Sequence, residues 1–174
     1  MTDKELKRLA FAKNSCYKKP IIDIHKSAII HRSAVIGTSG FGYQRDTDGK
    51  LIKIKHSGGV SIGAEVEVRA LTTIDSATVN GSFTHIGTGN KIDHHCHIAH
   101  NVKIGEWNTF ANGCVIEGSC QVGSFNTFGT NVIMQRKTKI GSNCIIGSGA
   151  VITKDFGDNV VLVGSPARIL TTTE

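Results

Sequence analysis

Ile86-Gly87-Thr88-Gly89-Asn90-Lys91-Ile92-Asp93-His94-His95-Cys96-His97-Ile98-Ala99-His100-Asn101-Val102-Lys103-Ile104-Gly105 is the stretch whose reading decides the fold. An isoleucine stands at every sixth position. Stepping on by six meets Phe110, Ile116, Val122, Phe128, Met134, Ile140, Ile146 and Ile152, apolar each time. An amphipathic helix has a period near 3.6 and a plain strand near 2, so a strict six implies one anchoring side chain per short strand. A period of eighteen lies over it: Ile86-Gly87, Ile104-Gly105, Val122-Gly123 and Ile140-Gly141, with Asn90, Asn108 and Asn126 three residues after the first three glycines. One coil is therefore three strands joined by tight corners. The same phase at Ile24, Ile30 and Ile36, and at Ile62, Val68 and Ile74, extends the pattern upstream. The expected architecture is all-β: a parallel β-helix of about six coils, a triangular prism over residues 20–170, with 1–19 an N-terminal extension and 171–174 a tail.

The composition agrees. Twenty glycines against two prolines and 6% aromatics suit Gly-punctuated short strands better than a helical enzyme. No apolar run approaches the roughly 20 residues of a membrane span, and charges break the first eleven residues, so neither a span nor an ordinary secretory signal is expected. Five cysteines without paired CxxC spacing suit a reducing compartment, so a cytoplasmic location is expected. The net charge of +6 raises the question of nucleic acid. Lys4, Lys7, Arg8, Lys13, Lys18 and Lys19 crowd the start, the other basic residues are scattered, and no nucleic-acid-binding motif accompanies them. Nucleic acid is not an expected partner; a small phosphorylated ligand is.

Two stretches break the six-residue phase. Residues 37–59 carry an Asp48-Gly49 turn signal between two short extended arms and read as a projecting hairpin. Phe41 and Tyr43, flanked by Gly40 and Gly42, are placed to close over a planar ligand, with Arg45 near enough in sequence to reach a phosphate. The second, Asp75 to Thr84, where the phase falls on Asn80, reads as a corner loop.

The repeat resembles the hexapeptide-repeat transferases across nearly the whole chain, and that resemblance implies a left-handed helix, a handedness the spacing alone does not supply. The family places small residues two positions before each anchor; here these include Cys96, Cys114, Cys120 and Cys144, which are read as buried fillers. Gly40-Phe41-Gly42-Tyr43, Thr72-Thr73-Ile74-Asp75 and Ile98-Ala99-His100-Asn101-Val102-Lys103-Ile104-Gly105 resemble the lipid A pathway N-acyltransferases acting on UDP-3-O-(3-hydroxyacyl)glucosamine. Gly149-Ala150-Val151-Ile152-Thr153-Lys154 and Val163-Gly164-Ser165-Pro166-Ala167-Arg168-Ile169-Leu170 resemble the closing coil of acetyl-CoA-dependent sugar acetyltransferases. The first resemblance implies that His100 is the catalytic base, with a glycine one coil on at the reacting centre. Without the long N-terminal domain and the helical extension of the lipid A enzymes, a short acyl-CoA is the expected donor.

Residues eighteen apart share a column along the prism, about 4.8 Å per step. The column through His100 reads Ser82, His100, Gly118, Arg136, Lys154. An imidazole that is partly free base at neutral pH can deprotonate an amine. Gly118 has no Cβ to block approach, so its N–H can face an oxyanion. Arg136 and Lys154 would meet the phosphates of an extended CoA, and Arg168 of the closing stretch is a further candidate for them. Lys137 stands where the lipid A motif has a second His. Asn101 replaces an acid found after the His in several relatives, so Asp93 is the candidate to orient His100; both are also candidates to touch substrate.

The expected function is transfer of an acyl group, acetyl by preference, from acyl-CoA to an amine on a nucleotide-linked amino sugar for surface polysaccharide or lipopolysaccharide. Alternatives are a sugar O-acetyltransferase, a 3-hydroxyacyl transferase of the lipid A type, or a carbonic-anhydrase-like zinc site from His94, His95, His97 and His100; no metal is expected on the first reading. A homotrimer is expected from Trp107 and Phe125, two large aromatics one coil apart on an outer position.

Overall fold

The computed structural model describes residues 20–173; the expected N-terminal extension, with its basic cluster, lies outside the described residues, as does Glu174. The described chain winds through three sheets that form the faces of a prism. The first sheet contains Ile22–Ile24, Gly59–Ile62, Phe83–Ile86, Lys103–Ile104, Gln121–Val122 and Lys139–Ile140. The second starts at Ile29–Ile30 and ends at Val160–Val163 and Arg168–Thr172; the third runs from Val35–Thr38 to Val151–Ile152. Each turn visits all three in order, giving six complete coils and a partial seventh.

The apolar hexad creates the core. Ile74, Ile86, Ile98, Ile116, Phe128, Met134 and Ile152 are wholly buried, and Phe110 stacks on Phe128 with ring centroids 4.5 Å apart. Cys96, Cys114, Cys120 and Cys144 are buried thiols, each with Sγ against main-chain carbonyls such as those of Ala111, Gly129, Gln135 and Gly157. Burial pushes the Cys120 and Cys144 thiols up, away from thiolate chemistry. Asn90, Asn108 and Asn126 form a buried ladder. The N–H groups of Asn108 and Asn126 each donate to the preceding Asn Oδ1 at 2.9 Å, and Asn108 Nδ2 also donates to Asn90 Oδ1 and to the Gly123 carbonyl.

Corners demand left-handed backbone, at roughly 1–2 kcal/mol for an L-residue. Leu71, His95, Asn101, Trp107, Ser119, Phe125, Asn131, Lys137 and Asn143 all have φ between 56° and 65°. A hydrogen bond to the preceding coil offsets this: Trp107 N–H donates to Thr88 O and Phe125 N–H to Glu106 O, both at 2.9 Å. Trp107 lies on Gly89 of the preceding coil, where a Cβ would come within 2.4 Å of the indole, so only a glycine fits below it.

The eighteen-residue register holds from the third coil to the sixth, as in Lys91↔Thr109↔Thr127↔Ile145. Between the second and third coils partners such as Thr73 and His97 are 24 apart, and between the first and second Ser27 and Glu65 are 38 apart. The extra residues leave at the corner between the third and first sheets in both cases: a short loop after Asp75, and a longer segment in which Tyr43–Arg45 pairs antiparallel with Leu51–Lys53. At the far end Arg168–Thr172 turns back antiparallel on Val160–Val163 and continues past the expected domain end at residue 170.

Candidate functional site

The corner that carries both insertions also carries His100. Register partners His97↔Val115↔Ile133↔Val151 set His100, Gly118, Arg136 and Lys154 in one column over four coils. Ser82 does not join it beside His100: it sits in the corner loop with its hydroxyl on the Val79 carbonyl at 2.6 Å. The place belongs to His56, whose ring lies 5.1 Å from that of His100 at an interplanar angle of 70°.

The imidazole of His100 is held by its neighbour. Asn101 has φ 60°, which brings its amide oxygen 3.0 Å from His100 Nδ1. That oxygen also accepts from the Thr78 N–H at 3.1 Å and the Thr78 hydroxyl at 2.9 Å, so it is an acceptor and Nδ1 carries the proton. In the neutral ring Nε2 then keeps the lone pair. It faces Gly118, where a Cβ would stand 2.6 Å from both Nε2 and Cε1, so glycine is required by the close approach. Gly118 is buried, and among the described residues its N–H donates to no protein acceptor. One coil on, the Arg136 N–H is taken by the Glu117 carboxylate at 3.0 Å. The column thus presents a lone pair and a free donor side by side.

Asp93 does not orient His100; the structure gives that bond to Asn101. Asp93 Oδ1 is 2.5 Å from His94 Nδ1 at the preceding corner, and the His94 amide and ring hold its carboxyl below the usual range. A different carboxylate approaches the site. Asp75 is 4% exposed, its Oδ2 lies 3.7 Å from His97 Nε2, and burial raises its pKa against the opposing pull of His97 and His100. His97 Nδ1 is 2.7 Å from the Thr73 hydroxyl, and His94 and His95 are exposed. Among the described residues no three His, Cys, Asp or Glu side chains are grouped to hold a metal ion.

Arg136 and Lys154 are exposed along the column, with Lys154 Nζ 5.5 Å from the Phe156 ring centre. Arg168 lies outside it, on the antiparallel strand of the second sheet, with its guanidinium on the Ala167 carbonyl at 2.8 Å. In the hairpin, Phe41 is 93% exposed and meets Tyr43 edge-on at 5.1 Å, while Arg45 is tied to the Gly49 carbonyl at 2.6 Å. Broad grooves of about 610 Å³ lie on the first and second faces, lined by residues such as Lys103 and Lys139 or Arg69 and Lys91; neither includes His100.

Sequence reading missed His56, and gave Asp75 a motif but no role. One signal was present for the first, since counting six back from Ile62 lands on His56.

Residues 83–118 and 119–154 match the family model for the bacterial transferase hexapeptide (six repeats). A UDP-3-O-acylglucosamine N-acyltransferase of Polynucleobacter asymbioticus is 49% identical over 82 residues, 45% of this chain and 22% of that protein. Its counterpart in Hahella chejuensis is 45% identical over 86 residues, 49% of this chain and 24% of that one. The match thus spans under a quarter of these curated relatives. Among solved structures, a UDP-N-acetylglucosamine acyltransferase from Campylobacter jejuni superposes with a TM-score of 0.66 at 21% identity, over 86% of this chain and 75% of the other, a likeness of fold. No described helix is long and apolar enough to cross a membrane. With the repeat, the register and the superposition in agreement, residues 83–154 match the bacterial transferase hexapeptide model and the described chain folds as a left-handed parallel β-helix.

Proposed function

We propose that this chain is an acyltransferase that moves a short acyl group, acetyl by preference, from acyl-CoA to the amine of a nucleotide-linked amino sugar, in the cytoplasm, for surface polysaccharide or lipopolysaccharide. The observation that carries this reading is the pairing of the His100 ring, oriented by Asn101 with Nε2 toward Gly118, with the unengaged N–H of buried Gly118. His100 takes the proton as the amine nitrogen attacks the thioester carbon, and the new C–N bond forms as the C–S bond breaks and the thiolate leaves. Gly118 N–H, free of any acceptor among the described residues, is assigned to the oxygen on which negative charge develops. Arg136 and Lys154 extend the column in the direction an anionic donor would follow, at spacings suited to phosphates. The relatives' printed names, acyltransferases of UDP-linked sugars, support the same class of acceptor.

A thiol-release assay with acetyl-CoA and a panel of UDP- and dTDP-linked amino sugars tests this. CoA release should require the amine; release with the hydroxyl analogue alone would favour O-acetylation, and turnover only with a 3-hydroxyacyl donor would favour the lipid A type of reaction.

The hairpin is assigned to the nucleotide sugar. Tyr43→Ala should raise KM for that substrate roughly tenfold, from loss of one stacked base, and leave KM for the acyl donor unchanged. A change confined to the donor would place the two ligands the other way round.

The chain is read as a homotrimer. Phe125 is 59% exposed, and Ile145 on the second face and Ile133 on the third are also exposed, apolar area that a second copy would cover. Sedimentation of active protein as a monomer would refute this.

A further inference from the structure

His56 belongs to no coil, yet it touches the two parts of the site that the acyltransferase reading treats separately. Gly40 N–H donates to its Nδ1 at 2.8 Å, so the neutral ring carries its proton on Nε2, a buried atom with no hydrogen-bond partner. The segment Gly40-Phe41-Gly42 is wound closely round this ring. A Cβ on Gly40 would lie 2.4 Å from His56 Cε1 and 2.8 Å from Asp75 Oδ2, and one on Gly42 would lie 3.6 Å from His56 Nε2. Phe41 and Tyr43 project from that segment into solvent. The imidazole also meets His100 edge to face. His56 is therefore an axle: the aromatic segment turns about it, and the base rests against it.

We propose that His56 is a positioning residue for the acyl transfer described above: it fixes the Gly40–Tyr43 segment in register with His100, so that seating the nucleotide sugar on the aromatics and aligning the base are one event. The inference rests on that reading of the reaction. The charged and titratable groups that act on His56 include Lys53 from the hairpin and His100 from the third coil, with Asp75 of the second coil on the other side of Gly40. Burial first, then His100 and Lys53, lower the basicity of His56, against an opposing pull from the Ser76 main chain. Nδ1 can accept from Gly40 only in the neutral ring, the form this lowering favours.

Two variants test the proposal. His56→Phe keeps a ring against His100 but cannot accept from Gly40; His56→Asn offers an amide oxygen where Nδ1 was. Hydrogen exchange over Ser39–Tyr43 is read without substrate, and kcat and both KM values are read with the amino sugar and acetyl-CoA. In His56→Phe, exchange should quicken, kcat should fall roughly tenfold and the nucleotide-sugar KM should rise by a similar factor, with the donor KM unchanged. His56→Asn should recover most of the loss. If the two variants behave alike, or if His56→Phe slows turnover with Ser39–Tyr43 exchange and sugar KM unchanged, the proposal is overturned. Wild-type protein that acylates no amino sugar would overturn the underlying reading instead, and would do so independently of the exchange result.

Discussion

Replacing His100 with alanine lowers turnover by roughly 10² to 10⁴, the range expected for loss of a positioned general base. The fold should survive, because Asn101 Oδ1 keeps both donors of Thr78 when the imidazole is gone. The acyl donor should bind as before, since its proposed contacts start at Gly118 and run to Lys154. Steady-state kinetics at neutral pH with a thermal melt of the same preparation checks all three points. Near wild-type turnover would mean that the amine supplies enough free base for positioning alone to suffice, and would remove His100 from the chemistry.

The second large effect concerns stability. Asn108→Ala removes a side chain with no solvent exposure from the middle of the ladder. It strands the Asn126 N–H and the Gly123 carbonyl, and takes one of two donors from Asn90 Oδ1. Buried groups left without partners cost about 1–3 kcal/mol each, so a loss of roughly 3–6 kcal/mol is expected in chemical denaturation. Cys144 ends the ladder by donating its own N–H to Asn126 Oδ1, so no further rung can shift to take up the slack. A loss below about 1 kcal/mol would show that the neighbouring coils relax around the gap.

The periodic half of the molecule was legible because each anchor, filler and corner recurs at a fixed offset; the column from His100 to Lys154 is a matter of counting once the coil is known. Counting fails where the chain leaves the coil. Ser82 is one period before His100 in the sequence, but the loop after Asp75 breaks that period, and His56 arrives beside His100 from a hairpin 44 residues earlier in the chain. Side-chain direction was the other gap. Asn101 reads as a poor substitute for an acid until its positive φ swings the amide onto Nδ1, whereas Asp93, chemically the better partner, turns to His94. Arg45 and Arg168 bond to nearby carbonyls, choices that no periodicity records. Gly89 beneath Trp107 was readable in principle, a small residue one coil before a large one in the same column.

Both insertions depart from one edge of the prism while the strands on either side stay paired, Val35 with Thr73 and Thr73 with His97. Chain length at that edge is therefore free of the constraint that fixes every other part of the coil. A longer or differently composed hairpin would change what the site receives on one side without moving a residue of the uninterrupted stretch from His100 to Lys154. On the reading above, that stretch handles the donor, a molecule common to many reactions, and the edge above it handles the acceptor, which differs from one sugar pathway to the next. On that reading the acceptor side can vary in length and composition while the donor column keeps the fixed register of the coils.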